Sequence, residues 1–277
     1  MVGDVQLAAL RPEHLARVKS ECLKTLAPST TVLVRQVFVA ALRWAEDAGL
    51  VTNVLALTRN RISRPPRVER RTYVWLNRET AGVFLAAAAD SPYGLMYRVM
   101  LTLGLRVGEL LGLRWVDINL DRQELTVSHS LQFVNGKLTL CEPKTTGSRA
   151  TLPWTDATLT KALIELKAKQ TFDRINRPLW LDEFGLAFID EFGGYIPHTK
   201  LHIDFKQTLR RAGLNPAMRL HDLRHSCISL LVAGGTHAKV CQMYARHAKI
   251  ATTMGTYSHL APEELQKAAA VLTLALS

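Results

Sequence analysis

The sequence predicts a mainly α-helical protein with a small antiparallel β-sheet, an α+β fold. Apolar residues at helical spacing recur through most of the 277 residues, whereas residues 116 to 154 change to a strand period. In that segment VDINL, ELTVSHS, KLTLCE and RATLPW have the composition of short strands, and Asn135-Gly136 is typical of a hairpin turn. Hydrophobic residues form 48% of the chain, which is enough for a packed core.

The N-terminal part, residues 1–57, is predicted to be a small helical domain. Ser29 or Thr30 is predicted to cap one of its helices, and Gly49 is placed to end that helix. The apolar residues of the helix recur every three or four positions, at Val34, Phe38, Ala41 and Ala45.

Residues 58–72, TRNRISRPPRVERRT, are predicted to link two domains. The segment holds six arginines against one glutamate, and Pro65-Pro66 favours an extended path. Charged linkers are often simply solvated, but an arginine string between two domains also suits backbone phosphates. In the second case the affinity for DNA would fall as the salt concentration rises.

A larger domain is predicted over residues 73–277. Asn77 is placed to cap a helix that runs to Ala89, and helical patterns continue through residues 94 to 112. After Trp154 the pattern is helical to the end of the chain. Glycines at 213, 234 and 235 are predicted to stop helices in this region.

The charge balance indicates a polyanionic partner. The formal net charge is +11, which suits nucleic acid or an anionic membrane surface. The sequence has neither an apolar run of membrane-spanning length nor a signal peptide, so DNA in the cytoplasm is the expected setting. The four cysteines lack the spacing of metal ligands, which disfavours a disulfide framework or a zinc site. The sequence also lacks the glycine-rich motifs of nucleotide-binding proteins, which disfavours nucleotide chemistry.

Two stretches hold candidate cations of a phosphate site. In LTLGLRVGELLGLRWVDINL, Arg106 lies among apolar residues, and Glu109 follows at a spacing that places both on one helical face. In EPKTTGSRATLPW, Lys144 enters a tight hairpin turn. A buried arginine–glutamate brace and a solvated lysine are the structural alternatives.

Two further stretches hold candidate proton carriers and a nucleophile. In HDLRHSCISLL, His221 and Arg224 are spaced to project from the same helical face beside a buried stripe. In HAKIATTMGTYSHL, His247 precedes Tyr257 by ten residues. Ion contacts at a helix end, a capping histidine and a packing tyrosine are the alternatives.

Together these side chains suit attack on a DNA phosphodiester. Two arginines can neutralise the charge that develops on the phosphate oxygens, in the place of a metal. A phenol can attack phosphorus and leave a phosphotyrosine, which preserves the bond for a second transfer. A lysine or histidine can protonate the departing 5′-hydroxyl.

These motifs resemble those of the tyrosine recombinase, or phage integrase, family. GLRVGELLGLRWVDI is similar to the first box of the family, PKTTGSR to its lysine hairpin, HDLRHS to its His-x-x-Arg box and HAKIATTMGTYSH to its nucleophile box. The resemblance covers residues 77–260 and extends more loosely to the N-terminal part, which is similar to the core-binding domain of the family. Residues 73–277 would then be the catalytic domain.

The resemblance also implies roles. The implied catalytic residues are Arg106, Lys144, His221, Arg224, His247 and Tyr257, with Glu109 as a buttress. The arginines would clamp the scissile phosphate, the lysine would protonate the 5′-hydroxyl, and the tyrosine would attack. His221 would assist proton transfer, and His247 would donate to a phosphate oxygen. The family needs no metal and no nucleotide cofactor.

The chain departs from the family pattern at two positions. Arg246 stands where glycine is common, so that either the local backbone shifts or Arg246 adds a phosphate contact. Gly255 stands where an acidic residue is frequent, which is expected to loosen the turn before Tyr257.

The implied function is site-specific recombination of double-stranded DNA, with integration or excision of phage or mobile-element DNA. The tail, residues 261–277, has an apolar stripe that would dock on its own domain or on a neighbouring subunit of a tetramer. Accessory directionality or DNA-bending proteins are further expected partners. The expected type is a short recombinase without an arm-binding domain, and the alternative is that the sequence is a fragment of a longer protein. The alternatives are a type IB topoisomerase and a non-catalytic DNA-binding protein on the same scaffold.

Overall fold

The computed structural model describes residues 3–52, 54–68, 74–142 and 149–246, and the predicted fold class is confirmed. Within these ranges the helices are α1 (Pro12–Thr25), α2 (Pro28–Asp47), α3 (Val54–Arg59), α4 (Arg78–Ala88), α5 (Gly94–Leu103), α6 (Val107–Leu111), α7 (Ala157–Asn176), α8 (His198–Arg211), α9 (Leu220–Ala233) and α10 (Ala238–Ala245). The strands are β1 (Ile118–Asn119), β2 (Glu124–Val127), β3 (Ser130–Val134), β4 (Lys137–Cys141) and β5 (Ala150–Pro153). The chain divides into two compact units, Met1–Thr72 and Tyr73–Ser277.

The first unit packs α1, α2 and α3 around a small apolar core that includes Leu15, Leu42 and Val54. The helix α2 begins at Pro28 with Ala27 as its N-cap, so the predicted cap at Ser29 or Thr30 was wrong. Proline at the first helical position has a suitable φ and lacks the N–H that a cap would otherwise satisfy. The predicted end of α2 is confirmed, because Gly49 follows it with φ 73°.

The start of the arginine-rich segment is held against α1 and α2. Lys19 Nζ donates to the carbonyls of Ile62 and Arg64 at 3.1 and 3.2 Å. Arg35 Nε donates to the carbonyl of Ser63 at 2.9 Å. These bonds fix the backbone that leaves α3.

The core of the second unit joins α4, α5 and α8. Phe84, Tyr97 and Phe205 are fully buried, and their ring centroids lie 5.6 to 5.7 Å apart in tilted and edge-on contacts. Asn77 caps α4 as predicted, since its side chain accepts the N–H of Thr80 at 2.8 Å. This core supports the C-terminal end of α5, where the candidate site begins.

The strands form two small antiparallel sheets, β1-β2-β5 and β3-β4. The predicted hairpin turn is confirmed: Asn135 and Gly136 have φ of 51° and 78° and join β3 to β4. The helix α6 approaches β3 closely, because a Cβ on Gly112 would lie 2.7 Å from the backbone nitrogen of Leu131. The β3-β4 hairpin therefore packs against α6.

The prediction of continuous helix after Trp154 was wrong for residues 177–197, which are irregular and form isolated β-bridges. Pro178 cannot continue α7, and Gly185 and Gly193 adopt φ of 68° and 80°. The predicted helix stops after α8 and α9 are confirmed at Gly213 and Gly235. Among the described helices, none is both long enough and apolar enough to cross a membrane.

Candidate active site

The start of α6 holds the first predicted arginine. Arg106 is the N-cap of α6, and its N–H donates to Oε2 of Glu109 at 2.7 Å. Its Nη1 donates to Oε1 of the same carboxylate at 2.6 Å. The predicted pairing of Arg106 with Glu109 is confirmed, but it forms as a helix cap rather than on one helical face, because Arg106 precedes the first residue of α6. The chain turns at Gly104, with φ 60°, before α6 begins.

The helix α9 brings the second predicted arginine to the same place. Arg224 Nη1 donates to the carbonyl of Gly104 and lies 3.9 Å from Oε2 of Glu109. The side chain of Arg224 is 3% exposed, whereas that of Arg106 is 39% exposed. Arg224 is therefore buried within the site, whereas Arg106 is partly exposed at its surface.

A third arginine, from the end of α10, completes this cluster. Arg246 Nη2 donates to Oε2 of Glu109 at 2.6 Å and to the carbonyl of Gly104 at 2.9 Å. Its Nη1 donates to the carbonyl of Tyr244 at 3.0 Å. The side chain is 0% exposed, and the backbone is left-handed, with φ 46° and ψ 43°. The local backbone is therefore unusual, and the guanidinium faces the protein interior.

Glu109 accepts hydrogen bonds from Arg106 and Arg246 and forms a longer ion pair with Arg224, so the cluster has a formal charge of +2. Burial alone would raise the pKa of Glu109, but Arg246, the backbone N–H of Arg106 and the neighbouring guanidiniums together hold that pKa below its ordinary value. Burial lowers the pKa of Arg246, and Glu109 opposes that shift. An arginine keeps its proton in such a setting, so the cluster is cationic.

The exposed His221 lies beside these cations, and its ring meets that of His225 edge-on with centroids 4.9 Å apart. Partial desolvation, followed by the charges of Arg224 and Arg106, lowers the pKa of His221. Desolvation, followed by the nearby His221, lowers the pKa of His225 to about 4. At neutral pH both rings are therefore neutral and His221 can accept a proton.

The start of α9 repeats the geometry of the start of α6. Arg219 is the N-cap of α9, and its N–H donates to Oδ2 of Asp222 at 2.8 Å. Its Nη2 donates to Oδ1 of Asp222 at 2.8 Å. This pair places a second half-exposed guanidinium next to His221.

Four of the residues singled out from the sequence meet in space: Arg106, Glu109, His221 and Arg224. Lys144, His247 and Tyr257, together with Gly255 and the tail, lie outside the described residues. Sequence reasoning missed the contacts of Arg246 with the shared carboxylate, the role of the Gly104 carbonyl and the ring contact of His225. The last was readable, because His221 and His225 are spaced by one helical turn in HDLRHS. The other two depend on how α5, α9 and α10 pack.

This fold carries a cationic cluster in which three arginines surround one buried carboxylate, an arrangement that suits an anionic group such as a phosphate. The chain belongs to the phage integrase family, whose sequence pattern it matches over residues 75–264. This range takes in every site residue named above.

Two relatives illustrate the sequence similarity. A tyrosine recombinase XerC-like protein of Caldanaerobacter subterraneus subsp. tengcongensis is 33% identical over 183 residues, which cover 62% of this chain and 46% of that protein. The ICEBs1 integrase of Bacillus subtilis is 25% identical over 213 residues, which cover 75% of this chain and 56% of that protein. The chain thus spans about half the length of these relatives.

Solved structures show the same fold. The Tn1549 transposon integrase in complex with a circular intermediate DNA has a TM-score of 0.77 at 18% identity, covering 94% of this chain and 86% of that one. The XerH site-specific recombinase bound to its palindromic difH substrate has a TM-score of 0.65 at 19% identity, covering 95% of this chain and 73% of that one.

Proposed function

We propose that this protein is a site-specific DNA recombinase that cleaves and rejoins DNA through a covalent 3′-phosphotyrosine. The observation that carries the proposal is the meeting of Arg106 and Arg224 at Glu109, inside a chain of the phage integrase family. Two cations held by one carboxylate suit a phosphate, because their positions are fixed before the substrate binds.

The proposed chemistry uses the residues in the roles that the family resemblance implies. The phenol of Tyr257 attacks the scissile phosphorus and forms a P–O bond while the bond from phosphorus to the 5′-oxygen breaks. Lys144 gives its proton to the departing 5′-hydroxyl, and His247 donates a hydrogen bond to a phosphate oxygen. A 5′-hydroxyl of the exchanging strand then attacks the phosphotyrosine and releases the tyrosine.

The neutral His221 serves this scheme as a proton acceptor. Its pKa is lowered by partial desolvation and by Arg224 and Arg106, so it can take the phenolic proton of Tyr257 at neutral pH. The same arginines stabilise the charge that grows on the phosphate oxygens. The scheme balances protons without a metal or nucleotide cofactor.

The wider assignment follows from the family and the composition. The first unit and the arginine-rich segment 58–72 are proposed to bind DNA, as a core-binding domain and its linker. The tail, residues 261–277, is proposed to join neighbouring subunits in a tetramer on two duplexes. The proposed setting is a bacterial cytoplasm, where the enzyme integrates or excises phage or mobile-element DNA, with directionality or DNA-bending proteins as partners.

Covalent trapping tests the proposal. The protein is incubated with a nicked duplex that carries the candidate core site, in the presence of a chelator, and products are separated under denaturing conditions. We expect an adduct with the parent protein and with the control Tyr244→Phe, because the Tyr244 hydroxyl contacts only the Pro153 carbonyl among the described residues. We expect none with Tyr257→Phe.

The alternatives give different products. Binding of a validated site without an adduct would support a DNA-binding protein on a recombinase scaffold. An adduct accompanied by relaxation of supercoiled DNA, without strand exchange on paired sites, would support a topoisomerase. An adduct formed by Tyr257→Phe would remove Tyr257 from the proposed mechanism.

A further inference from the structure

Arg246 is a buried charge in a backbone conformation that suits glycine. Its side chain is 0% exposed, and its φ of 46° lies in the left-handed region. Both features are unfavourable for arginine, since burial removes the hydration of the guanidinium and the left-handed backbone crowds Cβ. The backbone conformation at the end of α10 therefore does not favour an arginine at this position. The reason for an arginine must lie in the contacts of its side chain.

The contacts of Arg246 are shared with the site. Glu109 Oε2 accepts from Arg246 at 2.6 Å and from the backbone of Arg106 at 2.7 Å. The carbonyl of Gly104 accepts from Arg246 and from Arg224. Arg246 thus binds the two acceptors that position the predicted phosphate clamp.

The charge of the cluster shows what this sharing achieves. With Arg106 and Arg224 alone, Glu109 would cancel one of two positive charges, whereas the cluster with Arg246 has a formal charge of +2. A phosphodiester gains negative charge as it becomes pentacoordinate, so an additional positive charge stabilises the transition state more than the bound substrate.

We propose that Arg246 is a positioning residue that compensates the charge of Glu109, so that the charges of Arg106 and Arg224 remain available to the scissile phosphate. The inference rests on the proposed function. Because the side chain is fully buried, Arg246 acts through Glu109 and the Gly104 carbonyl and makes no contact with DNA. Its loss should therefore slow cleavage more than it weakens binding.

Three substitutions at one position separate charge from structure. Arg246→Met and Arg246→Gln are both neutral, and glutamine keeps an amide donor for the Gly104 carbonyl. Arg246→Lys keeps the charge. At saturating protein on the nicked duplex, we expect both neutral variants to form the adduct about 10-fold to 100-fold more slowly, because a misplaced clamp loses transition-state stabilisation. We expect Arg246→Lys to remain close to the parent rate, and the Kd for DNA to change by less than about threefold in all three.

A second substitution gives a readout that a merely structural role would not produce. Glu109→Gln removes the negative charge that Arg246 compensates, so we expect it to raise the cleavage rate of Arg246→Met. In the parent background the same substitution replaces one of the two oxygens that accept from Arg106 and Arg246 with an amide donor, and we expect it to slow cleavage. If Arg246 only stabilised the fold, the double variant would be slower than Arg246→Met.

The outcomes distinguish the two levels of the proposal. If the parent forms no adduct, the proposed function itself fails. If the parent forms the adduct and both neutral variants match its rate, or if Glu109→Gln slows Arg246→Met further, the inference about Arg246 is overturned. If Arg246→Met does not fold, Arg246→Gln with and without Glu109→Gln decides by the same comparison.

Discussion

The helices α6 and α9 begin in the same way but in different surroundings. At each start an N-cap arginine donates its N–H to a carboxylate three residues later, at 2.7 Å for Arg106–Glu109 and 2.8 Å for Arg219–Asp222. Both arginine side chains are 39% exposed, and both carboxylates are buried, at 8% and 4%. Local sequence is therefore sufficient to build this capping pair twice.

The difference lies in what packs against each carboxylate. Glu109 also accepts from Arg246 at 2.6 Å and lies 3.9 Å from Arg224, both delivered by other helices. Asp222 meets the guanidinium of its own N-cap arginine. The capping pair is therefore a local structure. The convergence of α9 and α10 on one such pair turns it into a candidate active site.

The largest expected effect is on stability when each carboxylate is removed. Glu109→Ala leaves three guanidiniums around a site without its anion, and we expect it to lower the free energy of unfolding by about 3–5 kcal/mol. Asp222→Ala removes a cap and one pair, and we expect a loss of about 1–2 kcal/mol. Chemical unfolding of the full chain at pH 7 measures both. Equal losses would mean that the additional arginines do not depend on Glu109.

The same contrast is expected in cleavage. Arg106→Ala removes a cation from the proposed phosphate clamp, and we expect the adduct to form about 10²–10³-fold more slowly. Arg219→Ala, the matched control with the same exposure, is expected to stay within about threefold, because partly exposed ion pairs contribute little. Single-turnover rates on the nicked duplex measure both variants. A loss at Arg219 as large as at Arg106 would show that the second capping pair also serves the reaction.

The sequence predicted the parts of the site that are local. The cap at Asn77, the Asn135-Gly136 turn and the Arg106–Glu109 pair all depend on residues within three or four positions of one another. Such contacts follow from helix and turn geometry. The helix end at Gly49 was predictable for the same reason.

What the sequence did not predict depends on contacts between distant segments. Arg246 and Glu109 are 137 positions apart, and their hydrogen bond exists because α10 ends beside the start of α6. The hydrophobic periodicity of a sequence does not indicate contacts between residues so far apart in the chain. The irregular segment 177–197 was missed because its apolar residues continue the pattern of the helices on either side, while Pro178 and two glycines with positive φ interrupt it.

His225 on α9 and Glu109 on α6 should also affect stability in different pH ranges. Partial desolvation lowers the pKa of His225, on α9, from 6.5 to about 4. The unfolded chain therefore binds a proton at this residue between those values and the folded chain does not, so stability is lost as pH falls through that window. From pH 7 to pH 5 we expect His225 to contribute a loss of about 2 kcal/mol, so the total loss should be smaller in His225→Gln, in which His221 still titrates.

Glu109 should lose its contribution in the same direction but at lower pH, because its pKa is held below the ordinary value of 4.5. Its contribution to stability is present above that ordinary value and is lost only as pH falls through the lower folded pKa. Unfolding curves at several pH values separate the two groups, with Glu109→Gln as the second control. A pH 7 to pH 5 loss that persists unchanged in His225→Gln would assign the window to another group.

The smallest expected effect concerns Gly104, which precedes α6 and whose carbonyl accepts from Arg224 and Arg246. Alanine at this position must adopt φ 60°, and its Cβ would lie 3.3 Å from Sγ of Cys227. Gly213→Ala is the matched control, with φ 64° and nothing within 4 Å. We expect both variants to lose about 1–2 kcal/mol of unfolding free energy from the left-handed backbone.

Cleavage should distinguish these two glycine variants. The contact with Cys227 is expected to displace the Gly104 carbonyl, which accepts from Arg224 and Arg246. Gly104→Ala should therefore slow adduct formation by roughly 3-fold to 10-fold, since small misplacements of a clamp reduce transition-state binding, whereas Gly213→Ala should match the parent. Equal rates for the two would show that Glu109 alone positions the arginines, and that the shared carbonyl contributes only to folding.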